Sequence, residues 1–233
     1  MFYLSRYQVI VALLFVMSFG LNAQRGNTNY MDFKAKPYFF GITLGFNSSD
    51  YKVFRSKTFI TNDTIRVIEP KRGPGFNLGI ITNLKLGEYF DIRFLPTLSF
   101  AERNLNYFSS TGSFNERKVE SVFVDMPFHV RYKSAPFNDM RVFVIGGIKY
   151  SFDVASDSRT KQAKDLVKIS PSDFSYEYGF GMQFYFPYFI FSPEFKVSQG
   201  INNILIYDKR IDQSNVIEKV MSRIFTISLN FEG

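Results

Sequence analysis

From Tyr38 onward the chain alternates, residue by residue, between large apolar side chains and polar or charged ones. A period of two restricts such a chain to extended strands with two unlike faces. In Val122-Phe123-Val124-Asp125-Met126-Pro127-Phe128-His129-Val130-Arg131-Tyr132 every even position is apolar or aromatic, while Asp125, His129 and Arg131 share the other face. Pro127 lacks a backbone donor, so it predicts a bulge or an interrupted ladder bond within that strand. Phe225, Ile227, Leu229 and Phe231 alternate with Thr226, Ser228 and Asn230 in the same way.

Eight strands are predicted near 37–47, 75–86, 90–101, 118–132, 140–153, 173–186, 188–199 and 219–231. The connections alternate between long (48–74, 102–117, 154–172, 200–218) and short (87–89, 133–139, and Pro187 alone). This is the pattern of an all-β, eight-stranded antiparallel up-and-down barrel, with tight turns at one end and loops at the other. The segments are long enough for tilted strands to cross a bilayer, which takes ~9 to 11 residues. Tyr89, Phe90, Tyr132, Phe137, Phe186 and Tyr188 fall at the turn end, and Phe100, Tyr107, Tyr150, Phe152, Phe174 and Tyr176 at the loop end. Two such belts resemble interfacial aromatic girdles.

A soluble barrel would keep its apolar face inside, leaving the polar face to water. Here the second face carries Lys85, Asp91, Arg93, Asp125, His129, Arg131, Arg141, Lys149, Glu177, Glu194 and Lys196. Those charges pair naturally in the lumen of a transmembrane barrel, whereas the rings, 29 Phe and 14 Tyr, need an apolar surrounding. The proposed lumenal network is therefore Arg93, Asp125, His129, Arg131, Arg141, Lys149, Glu177, Glu194 and Lys196. Inward glycines such as Gly147, Gly179 and Gly181 leave room for these long side chains, which argues against an open diffusion channel.

Residues 1–23 are of another kind. Arg6 is followed by an apolar centre and by Leu21-Asn22-Ala23, as in a secretory signal peptide cut after Ala23. The apolar centre from Val9 to Leu21 is short for an uncleaved helical anchor. The expected organisation is signal peptide 1–23, a short periplasmic tail 24–36, and an outer-membrane barrel 37–233. An even strand number then puts both termini of the mature chain in the periplasm and the four long connections outside the cell.

Several chemistries are excluded or unsupported. With no cysteine there are no disulfides, thiolate metal sites or thiol nucleophile, and His129 is the single histidine. Neither a nucleophile elbow nor a phosphate-binding loop occurs, so no catalytic residue, metal or cofactor is expected, and the chain is read as non-enzymatic. Despite the net charge of +7, no basic stripe with interleaved rings suggests nucleic acid. Glu69-Pro70-Lys71-Arg72-Gly73-Pro74-Gly75 is expected to form a specific turn before the second strand, with Glu69, Lys71, Arg72 and Gly73 as a partner-contact loop. Basic loop residues such as Lys57, Arg159, Lys161 and Lys209 suit either anionic headgroups, including lipopolysaccharide, or an acidic protein partner.

The runs Tyr38-Phe39-Phe40-Gly41-Ile42-Thr43-Leu44-Gly45-Phe46-Asn47, Pro74-Gly75-Phe76-Asn77-Leu78-Gly79-Ile80 and Phe94-Leu95-Pro96-Thr97-Leu98-Ser99-Phe100-Ala101-Glu102-Arg103 resemble the PorT family of outer-membrane β-barrel proteins. The resemblance extends more loosely over residues 30 to 231. It implies an accessory or assembly role in type IX protein secretion in Bacteroidota, with gliding motility in some relatives, and other secretion components as partners. It brings no catalytic residues. A small porin or solute channel is the alternative.

Overall fold

The computed structural model describes residues 28–55, 65–109, 114–154, 168–206 and 217–233; the expected signal peptide and the start of the tail lie outside them. A short helix, α1 (Thr28–Lys34), precedes strands β1 (Tyr38–Arg55), β2 (Ile65–Lys85), β3 (Phe90–Phe94), β4 (Thr97–Ser109), β5 (Phe114–Lys133) and β6 (Met140–Asp153). There follow β7 (Lys168–Ile169), β8 (Ser172–Tyr185), β9 (Ile190–Gly200), β10 (Leu205–Ile206) and β11 (Ile217–Glu232). Strand pairing is antiparallel throughout, and β1 closes the ring on β11 from Gly41↔Glu232 to Arg55↔Ile217. β3 and β4 are two pieces of one wall position, both lying between β2 and β5. The ring therefore has eight positions, with β7 and β10 forming a separate small pair.

The break between β3 and β4 has a local cause. Pro96 and Pro127 have no N–H to give, so the ladder is interrupted where they approach. Leu95 N donates to the Pro127 carbonyl at 3.2 Å, and Ile80 N donates to the Pro96 carbonyl at 3.1 Å, so the acceptors are still used. β5 itself stays in continuous register with β6 through Pro127↔Lys149. The interruption expected at Pro127 is thus expressed in the neighbouring strand.

Several strands outrun their expected lengths. β1, β2 and β5 have 18, 21 and 20 residues, about twice what crosses the hydrocarbon. Much of what read as loop in 48–74 and 102–117 is barrel wall. Polar residues such as Ser48, Asp50 and Lys52 take the outward positions of β1 beyond Phe46, so the apolar half of the alternation is lost there, which disguised the extension. At the other end, Asn138 and Asp139 both have positive φ (45° and 53°) in a two-residue hairpin closed by Phe137 and Met140. Asn and Asp are the non-glycine residues that best tolerate this backbone. The last short connection is a four-residue turn, Phe186 to Phe189, instead of Pro187 alone.

The pleat sends the two side-chain sets in opposite directions. Phe46, Ile80, Phe128, Val144, Phe180 and Ile227 lie outside and exposed, while Arg93, Arg131, Asp91, Ser192 and Asn230 are buried within. Of the expected girdle residues, all but Phe174 and Tyr107 are exposed; Phe174 is half-buried, and the side chain of Tyr107 lies outside the described residues. Among the described residues no helix could cross a membrane, which leaves crossing to the strands.

Candidate functional site

Among the described residues, two ionic groups occupy the interior. In the first, Arg131 of β5 donates to Asp91 (2.6 Å), Asn83 (3.1 Å) and Glu232 (3.3 Å). Lys133 joins Asp91 at 2.6 Å, and Arg93 bridges Glu194 (2.7 Å) and Glu232 (3.1 Å). Glu194 also meets Lys196 at 3.1 Å and accepts from Asn230 at 3.2 Å. Strands β2, β3, β5, β9 and β11 are thereby tied across the lumen. The desolvation cost of so many buried charges is offset because most carry more than one opposite partner.

The second group lies beside the first. His129 Nε2 and a Glu177 oxygen are 2.6 Å apart, and Lys149 reaches Glu177 at 3.3 Å and Asp125 at 3.8 Å. Gly147 faces His129 across β5 and β6. A Cβ there would collide with the Phe128 carbonyl oxygen and come within 2.9 Å of the His129 ring, so only glycine fits. Next to this group lies a cavity of about 20 Å³, room for roughly one water.

The structure brings together Arg93, Arg131, Glu194 and Lys196 in the first group and Asp125, His129, Lys149 and Glu177 in the second. Arg141 stands apart from both. Its guanidinium donates to the Ser134 carbonyl (2.7 Å), the Glu88 carbonyl (2.9 Å) and the Tyr30 hydroxyl (3.3 Å) at the turn end. Glu232, Lys133 and Asn83 are members that sequence reasoning did not assign. Glu232 shares the parity of Ser228 and Asn230, and extending that alternation by one step was the available signal.

At the turn end the segment expected as a tail forms α1 and closes the mouth. Tyr30 and Phe33 are buried with Phe39, Tyr185 and Ile190. Asn29 donates to the Tyr185 carbonyl at 3.1 Å, Tyr30 N donates to Asp139 at 2.8 Å, and Lys85 donates to the Phe33 carbonyl at 2.6 Å. Two apolar anchors and polar contacts to β2, β8 and the Asn138-Asp139 turn give so short a helix its tertiary support.

The turn expected here is corrected. Glu69, Lys71, Arg72 and Gly73 all lie within β2, paired to β4 through Glu69↔Asn106, Lys71↔Asn104 and Arg72↔Arg103. A register shift between Arg72 and Gly75 accommodates Gly73-Pro74-Gly75, so the prolines and glycines make an irregularity in a strand and not a turn. The side chains of Glu69 and Lys71 lie outside the described residues. Arg72 is on the outer face and reaches Asp50 at 3.3 Å, where Arg223 also binds at 2.8 Å, and both guanidinium groups lie over the Phe225 ring. This ionic cluster stands just past the apolar belt residues Phe46, Phe76 and Phe225. Lys57, Arg159, Lys161 and Lys209 lie outside the described residues.

A closed eight-position ring, apolar outside and ionic inside, now has a counterpart among known proteins: the family described as outer membrane protein beta-barrel domain matches residues 22–205. The chain belongs to this family. Its location is accordingly the outer membrane. No curated protein matches the sequence. Among solved structures the barrel is similar to the outer membrane protein OprG of Pseudomonas aeruginosa, with 8% identity, a TM-score of 0.47, and coverage of 84% of this chain and 95% of that one. Neisserial surface protein A has 7% identity and a TM-score of 0.42 over 84% of this chain and 96% of its own. The Yersinia pestis attachment invasion locus protein Ail, solved with a heparin analogue, has 14% identity and a TM-score of 0.36 over 85% and 100%. Among the described residues of this family member, no group of three or more potential metal ligands comes together.

Proposed function

We propose that this outer-membrane barrel is a non-enzymatic accessory or assembly component of type IX protein secretion, serving gliding motility in organisms that glide. The observation that carries the reading is the packed lumen among the described residues: a wall cross-tied by buried ion pairs, a cavity of only about 20 Å³ beside them, and α1 across the turn-end mouth. Such a body has little room to conduct solute and much rigid surface on which to assemble. The resemblance to the PorT family supplies the secretion context. In this reading both termini and α1 face the periplasm, the loop end faces outward, and the partners are outer-membrane lipid, lipopolysaccharide and other secretion components.

Deleting the gene is expected to trap cargo bearing the type IX sorting domain inside the cell, as measured by comparing cell and medium fractions. Normal export would reject the secretion role. The porin alternative makes the opposite claim about the lumen, and reproducible conductance of the purified protein in planar bilayers would favour it.

A further inference from the structure

A second cavity, about 260 Å³, lies at the turn end between the C-terminal half of α1 and the barrel mouth. Its lining includes Lys34, Lys36, Lys85, Lys133 and Arg141 against one acid, Glu88. Of these cations only Lys133 forms a close ion pair among the described residues, with Asp91, which also faces Lys85 across the β2–β3 ladder. Arg141 is 2% exposed, yet its donors go to two carbonyls and a tyrosine hydroxyl, all neutral. Lys85 likewise spends its ammonium on the Phe33 and Lys34 carbonyls, at 2.6 and 3.2 Å. Lys34 and Lys36 stand exposed on the rim. A buried guanidinium without a counter-ion is costly, and more so beside other cations, so the arrangement gains free energy when an anion enters.

We propose that this pocket docks a carboxylate of an acidic peptide segment presented by a partner protein at the turn end. Its volume is below the ~300 Å³ at which pockets begin to take drug-sized ligands, which suits a single side chain or chain terminus. Lys85 and Arg141 supply positive charge at the base of the pocket, and the rim lysines extend that field to neighbouring acids. Lipid headgroups are poorly placed to compete. Lys85, Lys133 and Arg141 belong to the inward-facing set of their strands, and the exposed rings of Tyr89, Phe90 and Tyr132 mark the membrane-facing side of the same wall. The inference deepens the accessory reading and rests on it for the partner's being a protein.

The test uses purified mature protein in zwitterionic micelles and fluorescein-labelled hexaglutamate, read by anisotropy at low salt. Saturable binding is expected, weakened roughly tenfold or more in a Lys34→Glu/Lys36→Glu variant, as for loss of one or more charge-assisted contacts. Both lysines are exposed, so the variant should keep its heat-modifiable mobility on gels. Lys52→Glu, at the other end, should bind like the parent, and inorganic phosphate should not displace the peptide at equal concentration. Absence of saturable binding, equal binding by the double variant, or displacement by phosphate at that concentration would overturn the proposal. Because this measurement needs no cargo, its failure is distinguishable from failure of the secretion reading.

Discussion

Glu232 contributes from β11 to a cluster whose cations come from β3, β5 and β9, accepting from both Arg93 and Arg131. Each hydrogen bond to a charged group contributes about 1.5–3 kcal/mol, and Glu232→Gln keeps the shape while removing the charge. The variant is therefore expected to lose its folded gel mobility at a lower temperature than the parent, and an unchanged transition would remove Glu232 from the wall's stabilising set. Arg93 and Arg131 retain Glu194 and Asp91, so the barrel should weaken without failing to form. Gly147 is the harsher case. A β-branched side chain has no space between the Phe128 carbonyl and the His129 ring, and Gly147→Val is expected to abolish the heat-modifiable form altogether. Inwardness at these positions was legible from parity alone, as it was for Arg93, His129 and Glu177. Which acid meets which base was not, because partners more than a hundred residues apart are chosen by the stagger of the closed ring.

Among the elements, α1 most depends on what surrounds it. Seven residues do not make a stable helix in water, so docking must supply its order. Burial of Tyr30 and Phe33 against Phe39, Tyr185 and Ile190 provides most of it. Removing a buried aromatic side chain costs roughly 3–5 kcal/mol. In a Tyr30→Ala/Phe33→Ala variant, α1 is expected to undock while the ring persists, so trypsin should cut folded protein after Lys34 much faster than in the parent. Equal cutting rates with intact barrel mobility would show that the helix is held by something else. The same docking explains why the sequence read as a tail: Thr28 to Lys34 is too short to display a helical period, and its burial surface is built by other strands. The extensions of β1, β2 and β5 are hidden in the sequence for a different reason. Beyond Phe46 the outer face leaves the apolar belt, polar residues occupy both faces, and alternation disappears although the ladder continues.

For the molecule as a whole, the filled lumen predicts electrical silence. Purified protein inserted into planar bilayers is expected to give no reproducible steps, and the rare events that occur should not change when Glu177→Gln alters the lumen. The chain's lack of cysteine makes orientation equally testable. Lys52 lies exposed towards the loop end and Glu88 exposed in a turn at the other. With single Lys52→Cys and Glu88→Cys variants, a membrane-impermeant maleimide should label only the first in intact cells and both after the outer membrane is opened. Labelling of the second alone would reverse the proposed orientation, and with it the compartment in which the basic pocket meets its ligand.

The fold class, the number of ring positions and the side taken by nearly every residue of the belt follow from sequence, because a pleated strand turns each side chain opposite to its neighbour regardless of what lies across the sheet. Tertiary structure alone decided the rest. Closure on β11 selected the Glu232 partners, the meeting of Pro96 and Pro127 split one strand into two, and docking turned a tail into a plug over a basic pocket. These outcomes depend on distances between residues far apart in the chain, which are set only when the ring has closed with a particular stagger.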